Sequence, residues 1–122
     1  MFQGDIIKLA KENRNFRKVI YTGEKSQLVL MSIPAKEDIG MEVHNGIDQI
    51  LFFVDGLGEA IVSGKSWKVK EGDVVFVPAG TQHNFKNMGK TDLKLYTIYS
   101  PPEHAEGTIR MTKADAMEEE KD

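Results

Sequence analysis

Short stretches of alternating apolar and polar residues run through most of this chain, separated by turn-forming Gly, Pro, Asn and Asp residues. Alternation with a period of two is typical of β-strands, and strands this closely spaced are typical of an all-β sandwich or barrel. The intervals between them are too short for the helix of a β-α-β crossover. Strands are predicted over residues 17–22, 27–33, 40–44, 49–55, 59–63, 66–70, 73–77, 82–87 and 93–100.

The two ends of the chain depart from this pattern and predict short helices. Residues 5–14 place their apolar residues on one side of a helix. Near the other end, Thr112 and Asp115 have the spacing of a capping box, which predicts a helix over residues 113–119. Between two of the predicted strands, Gly64-Lys65 predicts a two-residue hairpin turn.

Two of the predicted strands are apolar on both faces. Residues 49–55 are interrupted only by Gln49, and residues 74–77 read Val-Val-Phe-Val. Strands buried on both sides need cover outside the barrel as well as inside it. The cover can come from the N-terminal segment or from a second copy of the chain, and we expect a homodimer because twofold dimers are the commonest soluble oligomers. Trp67 alternates with lysines and is expected in the core.

Length, charge and composition exclude several classes of function. The chain has 122 residues, the size of one domain, with a barrel core expected over residues 17–100 and a tail over 101–122. The net charge of −3 with dispersed lysines argues against nucleic-acid binding. The longest apolar run, Ile50 to Val54, is too short to span a membrane, and the start of the chain lacks a signal-like segment, so we expect a cytoplasmic protein.

The absence of cysteine excludes disulfides, thiolate chemistry and cysteine-based metal sites. A metal would therefore need His, Asp, Glu or amide ligands, and the chain has 3 histidines. His104 follows Pro101-Pro102 and is expected on the surface of the tail, although it could fold over the barrel mouth. Tyr96 and Tyr99 are predicted on opposite faces of the last strand.

The segment from Gly72 to Asn87 is the most informative part of the sequence. An apolar strand is followed by Pro78, which cannot continue the strand, and by Gly80, which accepts a positive φ. The chain therefore reverses tightly and presents His83 at the start of the next strand. A histidine held on so stiff a turn is a candidate metal ligand.

Partners for His83 lie upstream. Glu42 and His44 are two residues apart on a predicted strand and point to the same face, and Gln49 opens the next strand after an Asn-Gly turn. Two imidazoles and one carboxylate are a ligand set typical of Fe(II), and they also suit Mn, Ni or Zn. Asp48 is an alternative to Gln49, although alternation points it to the other face.

These residues make the chain resemble the cupins. The second cupin motif, G-x5-P-x-G-x2-H-x3-N, is matched at every position by Gly72, Pro78, Gly80, His83 and Asn87. The resemblance implies a double-stranded β-helix, or jelly-roll barrel, with short helical ends and the site inside the barrel. Small cupins of this kind are often compared with mannose-6-phosphate isomerase.

The first cupin motif, G-x5-H-x-H-x3,4-E-x6-G, is matched less closely. The register that keeps a coordinating atom at each ligand position places Glu42 and His44 at the two histidines, Gln49 at the glutamate and Gly56 at the closing glycine. Lys36 stands where the first glycine would be.

Another register of the first motif places His44 at the first histidine. The second histidine position then falls on Gly46, and the glutamate position falls on Ile50 or Leu51. Because neither replacement offers a metal ligand, we prefer the register that begins at Glu42.

The resemblance implies a divalent metal held by Glu42, His44, Gln49 and His83, with the metal being Zn, Mn, Fe or Ni. A small organic molecule would bind there, either as the substrate of an isomerase, epimerase or dioxygenase, or as the ligand of a non-catalytic sugar- or metabolite-binding cupin.

The residues around the proposed ligands are expected to form the wall of a pocket and include no second acid or base. Leu51, Phe53 and Phe85 share the inward face of their strands with the ligands, and core packing would also account for them. If Glu42 does not bind metal, it is the candidate base. His44 and His83 could instead be structural histidines in a metal-free polar cavity.

Overall fold

A computed structural model of the protein describes residues 1–120, so the last two residues of the predicted tail lie outside the described part. The strands pair antiparallel in a six-stranded sheet of order β6-β3-β8-β2-β1-β9 and a three-stranded sheet of order β5-β4-β7. The elements in chain order are α1 (Ile6–Glu12), β1 (Arg17–Thr22), β2 (Gln27–Ile33), β3 (Asp48–Asp55), β4 (Leu57–Val62), β5 (Lys65–Lys70), β6 (Val74–Val77), β7 (His83–Asn87), β8 (Leu93–Ser100), β9 (Ile109–Arg110) and α2 (Lys113–Glu120).

The core lies between the two sheets. Met31, Phe53 and Leu95 come from the larger sheet, and Ala60 and Phe85 from the smaller one, and all five side chains are buried in one cluster. Two antiparallel sheets that face each other across a single apolar core form a jelly-roll barrel, which confirms the predicted all-β fold class.

Helix α1 covers the outer face of the larger sheet. Ala10 of the helix is fully buried in a cluster with Leu30 and Val54. The side chain of Asp5 accepts a hydrogen bond from the Lys8 backbone N–H at 3.1 Å and so caps the start of the helix. Of the two expected covers for the apolar outer face, the N-terminal segment is therefore present within the chain.

The two tyrosines of β8 lie on opposite faces, as predicted. Tyr96 faces outward and stacks on Phe52 with 4.7 Å between ring centroids. Tyr99 faces inward and is 1% exposed. The inner face of β8 therefore brings a phenol into the barrel.

The predicted strand over residues 40–44 is wrong. This segment instead makes an isolated bridge between Glu42 and His83. Just before it, the backbone N–H of Gly40 donates to Oδ1 of Asn84 at 3.0 Å, so a side chain replaces the strand partner. The segment is pinned to β7 at separate points rather than along a continuous ladder.

The prediction that residues 74–77 are buried on both faces is wrong, as is the prediction of a core Trp67. Val74, Phe76 and Trp67 are 56%, 55% and 53% exposed. The reason is position in the sheets, since β5 and β6 are edge strands and α1 packs on β2, β3 and β8 instead.

The hairpin between β4 and β5 turns one residue earlier than predicted. Ser63 and Gly64 both have positive φ, at 50° and 77°, which is the requirement of a type I′ turn, and Lys65 already belongs to β5. Strand β9 was not predicted because it is only two residues long. It pairs with β1 and brings the tail back to the barrel.

Candidate metal centre

Backbone pairing places Glu42 directly beside His83. The Glu42 N–H donates to the His83 carbonyl at 2.8 Å, and the His83 N–H donates to the Glu42 carbonyl at 2.9 Å. Gly80, in the turn after Pro78 with φ at 79°, donates its N–H to the His44 carbonyl at 2.9 Å. Side chains opposite one another in such a pair share a face. The two motifs thus meet through main-chain hydrogen bonds.

Glu42, His44 and His83 bring their ligand atoms together within 4.8 Å of one another. Nε2 of His44 lies 3.0 Å from Oε2 of Glu42, and the two imidazole rings are 5.1 Å apart at their centroids. Two ligands of one ion, each bound at about 2.1 Å and at a right angle, lie about 3 Å apart. The spacing of this triad therefore suits a metal ion.

The ring of His83 is oriented by the backbone. Its Nδ1 lies 2.9 Å from the Thr81 carbonyl, and since a carbonyl only accepts, Nδ1 carries the proton. Nε2 is then a bare lone pair, and it is buried with no hydrogen-bond partner among the described residues. Burial, together with the nearby His44, lowers the pKa of His83, and the neutral form is the one that binds metal.

The ring of His44 lies between two carboxylates. Nε2 faces Glu42, and Nδ1 is 3.5 Å from Oε2 of Glu103. Although burial opposes it, the hydrogen bond and charge of Glu42 and the charge of Glu103 raise the pKa of His44. A carboxylate behind a ligating imidazole fixes the ring and raises its basicity, so Glu103 is placed to support His44 as a ligand.

Gln49 is 2% exposed and fixed by its amide nitrogen. Nε2 donates to Oγ1 of Thr97 at 3.2 Å, and that hydroxyl donates in turn to the Ile50 carbonyl at 2.9 Å. Oε1 is buried and unpartnered in the part of the chain described. The alternative ligand Asp48 is occupied elsewhere, because its Oδ1 accepts the Ala79 N–H at 2.9 Å. Gln49 as a fourth ligand stays a prediction.

The donor set fits a divalent metal ion. A buried polar atom without a partner costs free energy, and His83 Nε2 is such an atom at the point where the triad converges. Two imidazoles and a carboxylate match the preferences of Zn, Mn, Fe and Ni. Glu42, His44 and His83 could therefore hold a metal ion.

The three predicted pocket residues lie in the core. Leu51, Phe53 and Phe85 are at most 2% exposed, and the Phe85 ring lies 5.9 Å from the His83 ring and 5.8 Å from that of Phe53. Phe85 therefore lies against His83, and Phe53 packs on Phe85 within the core. Their role as a pocket wall for a ligand stays a prediction.

The tail contributes residues that sequence reasoning missed. The side chain of Gln27 holds the tail through two hydrogen bonds to the backbone of His104. It donates to the His104 carbonyl at 2.7 Å and accepts from the His104 N–H at 3.0 Å. This holds Glu103 beside His44, where the sequence predicted no second acid. The expectation of a surface His104 is wrong, because its ring is half-buried and meets Tyr99 edge-on at 5.0 Å.

Residues 29–99 match the family model of the cupin domain, and the chain belongs to the cupin family. The jelly-roll barrel and the triad on its inner face agree with that assignment, and so does the pattern of residues 72–87.

Among curated proteins, the chain is similar to YrkC of Bacillus subtilis, with 43% identity over 123 residues that cover 95% of this chain and 66% of YrkC. The chain thus spans about two thirds of that relative. It is also similar to the oxalate-binding protein of Thermotoga maritima, with 32% identity over 56% of each chain. Among solved structures, BH2720 from Bacillus halodurans superposes with a TM-score of 0.95 and 41% identity, covering 96% of this chain and 93% of that one.

The helices of the described residues are all too short or too polar to cross a membrane.

Proposed function

We propose that this cupin binds a divalent metal ion through Glu42, His44 and His83, with Gln49 as a fourth ligand, and binds a small organic molecule at that ion. The observation that carries the proposal is the convergence of the three donor atoms within 4.8 Å around the unpartnered Nε2 of His83, as described for residues 1–120. The oxalate-binding relative supports a ligand that offers oxygen atoms to the metal.

Each residue of the site has a distinct task. Thr81 holds the proton of His83 on Nδ1, and Glu103 supports His44 from behind. The fully buried ring of Phe85, 5.9 Å from that of His83, keeps water from that side of the ligand. A bound metal ion would polarise a ligand oxygen as a Lewis acid.

We propose that the site can also catalyse a reaction, with Glu103 as the acid or base. Glu103 is a carboxylate 3.5 Å from His44 whose side chain is 28% exposed, so it can exchange protons with solvent. Glu103 supplies an acid or base for isomerase, epimerase or dioxygenase chemistry. Glu42 would take that role only if it did not bind the metal. The alternative is a non-catalytic sugar- or metabolite-binding cupin, which would need the metal and no proton transfer. The cytoplasmic location stays a prediction.

Metal content and thermal stability test the proposal. After reloading with Mn, Fe, Ni or Zn, we expect one ion per chain by elemental analysis. Free metal at a hundred times Kd stabilises the folded state by about 2.7 kcal/mol, which raises Tm by several degrees. A chelator should reverse the shift. Failure of all four metals to bind would contradict the proposal.

We also propose that the protein is a homodimer that buries the exposed apolar face of β5 and β6. Trp67, Val74 and Phe76 line a groove of about 460 Å³ on this face. Contiguous exposed apolar surface of this kind marks interaction sites.

Light scattering after size exclusion tests the homodimer. We expect twice the chain mass of 13.7 kDa for the wild type and the chain mass itself for Phe76→Glu. Met111→Glu, at a 71% exposed position on another part of the surface, should stay dimeric. A monomeric wild type would contradict the proposal.

A further inference from the structure

Arg17 is a buried cation without a counter-ion. It opens β1, pairs with Met31 of the core, and is 2% exposed. Its Nε has no hydrogen-bond partner, and no carboxylate in the described part of the chain forms an ion pair with it. Its guanidinium carbon lies over the neighbouring Phe16 ring, 5.4 Å from the centroid.

Such a charge is expensive to bury. An uncompensated ion inside a protein costs several kcal/mol unless it is paired and hydrogen-bonded. Lys94, which is also buried in the described part of the chain, follows that rule: its Nζ donates to the Asn13 carbonyl and lies 3.6 Å from Oδ2 of Asp92. Among the described residues Lys94 has a carboxylate partner and Arg17 has none, although arginine is the better anion receptor of the two.

Arg17 lies in the same interior as the metal site. Its guanidinium neighbours Tyr99, where burial raises the pKa of the phenol and Arg17 opposes the shift. The Tyr99 ring is 5.7 Å from that of His44 and 5.0 Å from that of His104. Burial and the charge of Arg17 lower the pKa of His104 to about 3, so its ring is neutral and adds no second positive charge.

The surroundings favour a carboxylate over other ligands. A neutral sugar would leave the guanidinium unpaired. A phosphate is usually held by several cations or by main-chain N–H groups at a helix terminus, and here one arginine is joined by one tyrosine hydroxyl and one neutral histidine. A guanidinium matches the two oxygens of a carboxylate.

We propose that Arg17 binds the carboxylate of a small organic acid whose second oxygen group faces Glu42, His44 and His83. The ligand class is therefore a 2-oxo acid, a 2-hydroxy acid or a short dicarboxylate. This inference rests on the proposed function and specifies its ligand.

Calorimetric titration tests the inference, with oxalate and pyruvate as probes, oxamide as the neutral analogue of oxalate, and inorganic phosphate as a competing anion. The wild type is expected to bind both acids and to prefer oxalate over oxamide by at least about tenfold. Arg17→Met should weaken binding of the acids by about ten- to a hundredfold. Arg14→Met, the same change at an exposed position three residues away, should leave it unchanged.

Two further readouts separate a ligand-binding arginine from a structural one. Arg17→Met should keep the metal stoichiometry of the wild type, and without ligand its Tm should equal or exceed that of the wild type, since an unpaired charge is removed. A lower Tm, equal acid binding by Arg17→Met, or tighter binding of phosphate than of oxalate would overturn the inference. If Arg17→Met does not fold, the comparison of oxalate with oxamide on the wild type decides alone.

Running each titration on metal-loaded and chelator-treated protein distinguishes the two proposals. Metal binding without acid binding overturns the inference and leaves the metal site standing. Arg17-dependent acid binding by a protein that takes up no metal supports the inference and overturns the proposed metal site.

Discussion

Replacing His83 by alanine is expected to abolish stoichiometric metal binding while leaving the barrel folded. The partner behind a ligand is itself worth about ten- to a hundredfold in metal affinity, so loss of the ligand should cost at least about a hundredfold. His83 carries the one imidazole nitrogen of the triad that is both buried and free of any charged neighbour within ion-pair distance among residues 1–118. Replacing His83 therefore removes a central ligand of the proposed metal site.

The metal-free stability of His83→Ala should fall by no more than about 1–2 kcal/mol. The ring loses its contact with Phe85 at 5.9 Å, but an unsatisfied buried nitrogen is lost with it. Metal content by elemental analysis and unfolding in urea with a chelator present measure the two effects separately.

His104→Ala is the matched control, because His104 is also a partly buried histidine with an unpartnered Nε2 in the described structure but lies outside the triad. It should keep its metal. Wild-type affinity in His83→Ala, or equal losses in both variants, would mean that the ligand set is wrong.

Local patterns predicted the strands that lie in the middle of the larger sheet. The bounds of β1, β2 and β8 coincide with the predicted ones, since alternation and turn residues mark both ends of each strand. The turn at Pro78 and Gly80 could also be predicted, because proline cannot continue a strand and Gly80 accepts the positive φ that it has in the structure. This is why His83 could be placed correctly from the sequence.

Features that depend on which strands are neighbours in a sheet could not be predicted from local sequence patterns. Trp67 and Phe76 have the hydrophobicity of core residues, but β5 and β6 lie at sheet edges, and a sequence pattern does not say which strands are edges. Residues 40–44 likewise have strand composition but pair with β7 at an isolated bridge, because a hydrogen bond from Gly40 to Asn84 interrupts the ladder.

The second half of the site depends on long-range contacts. Gln27 and His104 are 77 residues apart, and their hydrogen bonds decide where Glu103 lies. The sequence shows that Pro101-Pro102 ends β8. It does not show that the tail then returns to the barrel. Arg17 was missed for a different reason: an arginine at the first position of a strand is usually exposed, and only the pairing with Met31 turns it inward.

Replacing Phe85 by alanine is expected to lower the free energy of unfolding by about 3–5 kcal/mol. The ring is fully buried between Phe53 and His83, and the surrounding strands can close only part of the cavity that alanine would leave. Because domains of this size are stable by about 5–15 kcal/mol in total, the variant should be partly unfolded at temperatures that the wild type tolerates. Urea unfolding of the metal-free protein, followed by circular dichroism, measures the loss.

The size of that loss also decides between two roles for Phe85. If the ring is a packed part of the core, Phe85→Leu should lose only about 1–2 kcal/mol, since leucine refills most of the space. If the ring instead lines an open ligand pocket, water or ligand already occupies one side of it, and Phe85→Ala should lose less than about 1 kcal/mol while changing affinity for small acids. Its contacts on two sides with buried rings favour the core, so we expect the large loss of stability.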